Sequence, residues 1–232
     1  IGAVRVVPDS TNVIIAATRT GIFRSTDYGS SWTGIEPGAF NTLAADPQNP
    51  HIIFAGTTGS QGRVYRSTDR GISWTRLTSG LPNSGVNRVE IAVSAQDSNY
   101  IYAVFSASNN GFGGLYRSTN GGNTWTLRSS TPNILGWSAN GTGSGGQGWY
   151  DLCIAVSPTN KNTIFVGGVN VWRNNAGGNS QGWNCVGHWY GQNGVPIVHA
   201  DIHYFNWQPG TNHLWLGTDG GVYKTTNLGN SW

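Results

Sequence analysis

The chain has 232 residues, with 13 Lys and Arg against 10 Asp and Glu and a formal net charge of +3. So few charges, none of them clustered, provide no basic patch to release counterions from a nucleic acid, and the apolar runs are too short to cross a bilayer as a helix. Thirty-five Gly, 11 Trp and 9 Tyr describe a turn-rich globular chain, and with neither a Met at position 1 nor a leader pattern it reads as a piece of something longer.

In chain order, residues 1–7 read as a strand and a second apolar run covers 13–17. The decapeptide FRSTDYGSSW follows at 23–32 and returns as YRSTDRGISW at 65–74, YRSTNGGNTW at 116–125 and YKTTNLGNSW at 223–232. A degenerate copy lies over 172–183, so that Trp32, Trp74, Trp125, Trp183 and Trp232 step by 42, 51, 58 and 49 residues. Between copies the same order of short runs recurs. First strands are expected over 88–93, 152–156 and 202–207, and turns such as DPQNP at 46–50 and SPTN at 157–160 follow them. Second strands come next over 52–56 and 164–167, a third strand leads into the decapeptide, and a fourth begins at its Trp. Four short strands repeated every ~40 to 50 residues are the mark of a β-propeller blade.

The predicted fold is therefore all-β, a β-propeller of four-stranded antiparallel blades. Five blades are recognisable, at about 1–36, 37–79, 80–130, 150–187 and 197–232, in a single domain. Three strands occur in five copies and the fourth in only four, so the expectation is a segment of a larger propeller whose remaining blades lie in the parent chain.

Within each repeat, Asp27, Asp69, Asn120 and Asn227 can accept backbone N–H bonds from the turn that follows, and Ser25, Ser67, Ser118 and Thr225 can add a second such bond. Gly29, Gly71, Gly122 and Gly229 supply a positive φ, and Trp32, Trp74, Trp125 and Trp232 bury a ring against the blade. These residues resemble the Asp-box, or BNR, repeat family over essentially the whole chain. The resemblance implies that the box joins third and fourth strands on the outer rim and is structural. Sialidases, family 74 glycoside hydrolases acting on xyloglucan, sortilin-like receptors and photosystem assembly factors share it. The segments GQGWYDL at 146–152, VGGVNVW at 166–172 and VHADIH at 198–203 look most like large exported or surface bacterial proteins, often ending in a type IX sorting domain. The resemblance implies a secreted or cell-surface location.

A sialidase would need an arginine triad, a Tyr nucleophile and an aromatic-Arg-Ile-Pro element, and Val4 to Pro8 lacks the aromatic. The repeated third-strand arginines are expected to pair with local backbone. A glycoside hydrolase needs two carboxyl groups ~5 to 9.5 Å apart. With Asp27 and Asp69 in boxes and Asp9, Asp46 and Asp97 in turns, Glu36, Glu90, Asp151, Asp201 and Asp219 remain, and Asp151 with Asp201 is the one plausible catalytic pair. His199, Asp201 and His203 alternate along one predicted strand face, which fits either a metal site or a buried network with a neighbouring blade's Asp or Trp. Cys153 and Cys185 fall on the first and last strands of one blade, too far apart for a disulfide, and are expected to be free thiols. Asn140-Gly141-Thr142 has the N-glycosylation pattern.

The long links between blades line the top face. Residues 129–150 carry Trp137, Trp149 and Tyr150, and residues 186–198 carry His188, Trp189 and Tyr190. Rings presented there would suit sugar faces, and rings folded inward would stabilise the loops. The leading expectation is a recognition or scaffold module that binds glycan or protein on this face without a cofactor. The alternatives are a glycoside hydrolase using Asp151 and Asp201, and a structural component of a surface assembly.

Overall fold

The computed structural model describes residues 1–59 and 61–232. Short alternating runs bounded by Asn, Asp, Pro and Gly form strands throughout, joined by two single-turn 3-10 helices at Ser180–Gly182 and Gln192–Gly194. The first sheet contains β1 (Ala3–Val7), β2 (Ser10–Ala17), β3 (Gly21–Ser25) and β4 (Thr33–Pro37). The second contains β5 (Phe40–Ala45), β6 (Ile53–Thr57), β7 (Val64–Ser67) and β8 (Thr75–Leu77). The third contains β9 (Val86–Val93), β10 (Ile101–Ala107), β11 (Phe112–Ser118) and β12 (Thr126–Ser129). The fourth contains β13 (Cys153–Val156), β14 (Ile164–Gly167), β15 (Val171–Asn174) and β16 (Trp183–Gly187). The fifth has three strands, β17 (Ile202–Trp207), β18 (Leu214–Thr218) and β19 (Gly221–Thr225). Within each sheet of the described residues the strands pair as antiparallel meanders, so the chain is an all-β five-bladed propeller.

The core is divided among the seams between blades. Phe40, Leu43 and Ile53 of the second blade pack with Ile15 and Ile22 of the first, and Phe54 and Val64 pack with Val89, Ile91 and Phe105 of the third. Tyr102 and Leu115 meet Ile164, Val166 and Trp172 of the fourth blade, and Phe165 meets Ile202, Phe205 and Leu216 of the fifth. The first strands β1, β5, β9, β13 and β17 face a central cavity of about 740 Å3.

A meander places alternate turns at the same end of the sheet. The β3–β4, β7–β8, β11–β12 and β15–β16 hairpins therefore share one face with the β1–β2-type turns. The interblade loops share the opposite face with the β14–β15 and β18–β19 turns. The decapeptides are the first kind of hairpin. In each, the hydroxyl of Ser25 or Ser67 accepts the Gly29 or Gly71 N–H at 2.8 Å and donates to Asp27 or Asp69 at 2.7 Å. The carboxylate accepts the N–H four residues on at 2.9 Å. Asn174 takes the serine's place in the degenerate copy, its Oδ1 accepting from the Ala176 and Gly178 N–H groups. Positive φ occurs at two successive residues, not at Gly alone, since Tyr28, Arg70 and Leu228 also adopt it. A Cβ on Gly71 would lie 2.6 Å from Ile15, so this glycine also lets the hairpin seat on the preceding blade.

The third-strand arginines depart from the expected local pairing. Arg24 donates to the Arg70 carbonyl, Arg66 to the Gly121 carbonyl and Arg173 to the Leu228 carbonyl, each reaching the box of the next blade. The box tryptophans also differ among themselves. Trp125 is buried with its indole N–H on the Gly122 carbonyl, whereas Trp32 on the first blade remains 43% exposed. Cys153 lies on β13 and Cys185 on β16, both as free thiols.

Candidate functional site

Two interblade loops, 130–152 and 188–201, dominate the face opposite the boxes, and buried polar groups hold them together. His188 is fully buried. Its Nδ1 accepts the Tyr190 and Gln192 N–H groups, so its Nε2 carries the proton and donates to the Trp137 carbonyl at 3.0 Å. Burial holds this imidazole below its ordinary pKa, in keeping with the neutral form. Gln192 Oε1 accepts the Ala139 N–H at 2.7 Å, and Asn170, in the β14–β15 turn, donates to the Gly136 and Trp137 carbonyls at 3.1 Å. Ile134 and Leu135 anchor the first loop in the apolar seam beneath.

On this framework the rings of Trp137, Trp149, Tyr150, Trp189 and Tyr190 all face solvent. Trp149 and Tyr150 lie 5.5 Å apart, and Trp189 and Tyr190 meet edge-on at 4.4 Å. His188 does not join them as a presented ring. It is an internal strut, because both of its nitrogens are occupied by backbone groups.

The acids gather beside Tyr150. Its hydroxyl donates to Asp219 Oδ2 at 2.9 Å, and His203 Nε2 donates to Asp219 Oδ1 at 2.8 Å. These two bonds hold the Asp219 carboxyl below the usual carboxylate range, while the bond to Asp219 raises the Tyr150 phenol. Gln147 Nε2 donates to Asp201 Oδ1 at 3.3 Å, and the Gln147 carbonyl accepts the Asp151 N–H at 3.1 Å. Asp151 is fully buried, and among the described residues no donor reaches either of its carboxyl oxygens. Burial first, then the adjoining Asp201 carboxyl, push Asp151 up to about 8. A carboxyl buried without a donor resists ionisation, because nothing in its surroundings replaces the water that would solvate the charge.

The strand alternation expected to align His199, Asp201 and His203 on one face does not form. Asp201 has φ 65, which breaks the strand alternation, and β17 begins only at Ile202. His199 turns to the Ala200 carbonyl, and His203 bonds Asp219 of its own blade at a half-exposed site. No group of three or more His, Cys, Asp or Glu side chains converges as a metal site among the described residues.

Arg88 and Glu90 on β9 escaped the sequence reading as site residues. Arg88 donates to the carbonyls of Trp149, Tyr150 and Leu152 and pairs with Glu90 at 2.9 Å, clamping the loop where it enters β13. Burial raises the Glu90 carboxyl, opposed mainly by Arg88. The signal was an i, i+2 ion pair on one face of a first strand, in a chain where few residues are charged.

Fold and site together define an Asp-box propeller with a braced aromatic surface opposite its boxes. The family described as "Sortilin, neurotensin receptor 3" matches residues 20–166, more than half of the sequence, and the chain belongs to this Sortilin-Vps10 family. An ancestral GH74 enzyme is 22% identical with a TM-score of 0.70, over 99% of this chain and 31% of its own. The GH74 xyloglucanase from Xanthomonas campestris is 16% identical with a TM-score of 0.70, over 97% and 36%. YCF48 bound to D1 peptide is 13% identical with a TM-score of 0.50, over 82% and 52%. At these identities the likeness is one of fold, and the chain spans about a third of the length of the two GH74 structures. No curated protein matches the sequence. No helix among the described residues is long and apolar enough to cross a membrane.

Proposed function

We propose that this propeller is an exported or cell-surface recognition module that binds glycan through the rings of Trp137, Trp149, Tyr150, Trp189 and Tyr190. The observation that carries this reading is that five large rings stay in water on loops braced from beneath by His188, Asn170 and Arg88. A ring held in place loses little further entropy on stacking against a sugar face. Residues 130–151 and 186–201 contain no Lys or Arg, so the surface offers no fork to a carboxylate or sulfate and favours an uncharged glycan.

Hydrolysis by Asp151 and Asp201 fits poorly. An inverting pair stands ~6.5 to 9.5 Å apart to admit water, and a retaining pair ~5 Å apart across the scissile bond. Here Asp151 is sealed from solvent, so its carboxyl meets neither a water nor a sugar ring on the surface.

The test is an array of neutral and anionic polysaccharides, with xyloglucan included because one matched structure is a xyloglucanase. Binding to neutral members should fall about tenfold, ~1.4 kcal/mol, in Trp149→Ala and in Trp189→Ala, without release of reducing sugar. Preference for anionic members, or sugar release abolished by Asp151→Asn, overturns the reading.

A further inference from the structure

An aspartate in a tight turn ordinarily bends its carboxyl back onto the backbone N–H groups of that turn. Asp46 does so with Gln48 and Asn49, and Asp97 with Asn99. Asp219, in the β18–β19 turn, does not. Thr218 already closes that turn, its hydroxyl accepting the Gly220 N–H at 3.1 Å and donating to the Gly221 carbonyl at 3.2 Å. The Asp219 carboxylate instead reaches Tyr150 in the loop before the fourth blade and His203 on β17, accepting the phenol at 2.9 Å on Oδ2 and the ring N–H at 2.8 Å on Oδ1.

An ionised carboxyl offers about four acceptor positions, and these partners fill two. The Asp219 side chain remains 40% exposed, so the other positions face water. Its partners are themselves fixed. Arg88 holds the Tyr150 carbonyl from the third blade, and the His203 ring meets the Tyr150 ring edge-on at 4.9 Å. A charged acceptor of set orientation therefore stands at the edge of the Trp149–Tyr150 pair. The Trp189–Tyr190 pair has no counterpart, since residues 186–198 contain no acid and His188 beneath it is bonded to backbone at both nitrogens.

We propose that Asp219 is the specificity-determining residue of the Trp149–Tyr150 half of the surface, its two carboxylate oxygens accepting the neighbouring hydroxyls of a vicinal diol on the sugar stacked against those rings. Stacking by itself reads the apolar face of a sugar and tolerates changes among its hydroxyls. Hydrogen bonds to an ionised acceptor are about twice as strong as neutral ones, and a site built to receive hydroxyls rejects an analogue that cannot donate them. A sugar with those hydroxyls methylated would cover the carboxylate with groups that donate nothing, removing water from a charge without replacing it.

This inference deepens the glycan-binding reading and rests on it. The test measures the natural chain, Asp219→Asn and Tyr150→Phe against neutral polysaccharides of the array, each beside its O-methylated form. The natural chain should bind the unmodified form at least tenfold more tightly than the methylated one. Asp219→Asn retains both neighbours, because the amide oxygen accepts from His203 while the NH2 group donates to the phenol oxygen, but it gives up the charge and an acceptor. Its binding to the unmodified form should fall about tenfold and its binding to the methylated form should stay level. Tyr150→Phe removes the tether and leaves the acceptor, so it should weaken both forms alike and keep the discrimination. Equal binding of both forms by the natural chain, or an equal loss of both in Asp219→Asn, overturns the inference and leaves the glycan reading standing; the latter result would make Asp219 a support for Tyr150 only. Tighter binding of a glucosamine polymer than of its N-acetylated form, lost in Asp219→Asn, also overturns it, in favour of an ammonium ligand. Absence of binding to every member ends both readings.

Discussion

A serine hydroxyl and a carboxylate two residues apart suffice to close each box, and the repeats show which atoms matter. Ser67 is buried, accepts two backbone N–H groups and donates to Asp69. Ser67→Ala should destabilise by about 1 to 3 kcal/mol, read from denaturant midpoints. Asn120 and Asn227 close their boxes with an amide, donating Nδ2 to Thr124 or Ser231, where Asp27 accepts from the Ser31 hydroxyl. A hydroxyl can serve either way, so Asp27→Asn and Asp69→Asn should fold. The donors around Asp27, the Ser31 hydroxyl first, hold its carboxyl at about 2, and at Asp69 burial works in the opposite direction but Ser73, Ser67 and the Ile72 N–H together still lower it. Carboxyls depressed in this way contribute stability that is complete above about 4 and lost as pH falls through the folded value. The thermal midpoint of the natural chain should therefore drop more between pH 5 and pH 2 than that of the double Asn variant.

At the scale of elements, the two interblade loops behave as one unit because, beyond the turns within each, His188 bonds to Trp137 and Gln192 to Ala139 across them. His188→Ala removes the donor to Trp137 and the acceptor for Tyr190 and Gln192. It should cost about 2 to 4 kcal/mol and expose amides of both 134–140 and 189–192 to exchange, leaving the box hairpins unchanged. A loss confined to the second loop would contradict this coupling. The aromatic content of these loops was legible in the sequence, as was their place between blades. The outward direction of five rings and the inward direction of His188 were not. Direction depends on which polar atoms find partners at a distance, and Asn170 and Gln192 carry no local pattern that announces such a role.

For the molecule as a whole, stability resides in the seams. Each apolar cluster spans two adjacent sheets, and none joins the fifth blade to the first among the described residues. Phe54→Ala, in the seam of the second and third blades, should cost about 3 to 5 kcal/mol and loosen those two blades before the fourth and fifth, as exchange or limited proteolysis would show. Uniform loosening of all five would argue for a core shared around the ring.

By itself the sequence determined the strand order, the five repeats and the chemistry of each box, because these depend on residues within a few positions of one another. Trp, Asp or Asn, and Gly at fixed offsets encode a hairpin wherever they occur. Only the tertiary structure decided that the third-strand arginines clasp the next blade, that Asp201 leaves the strand and so parts His199 from His203, and that Asp151 is buried with no donor at its carboxyl. Those outcomes hinge on contacts between residues some fifty positions apart, where the side chain's partner is chosen by the packing of one blade on the next.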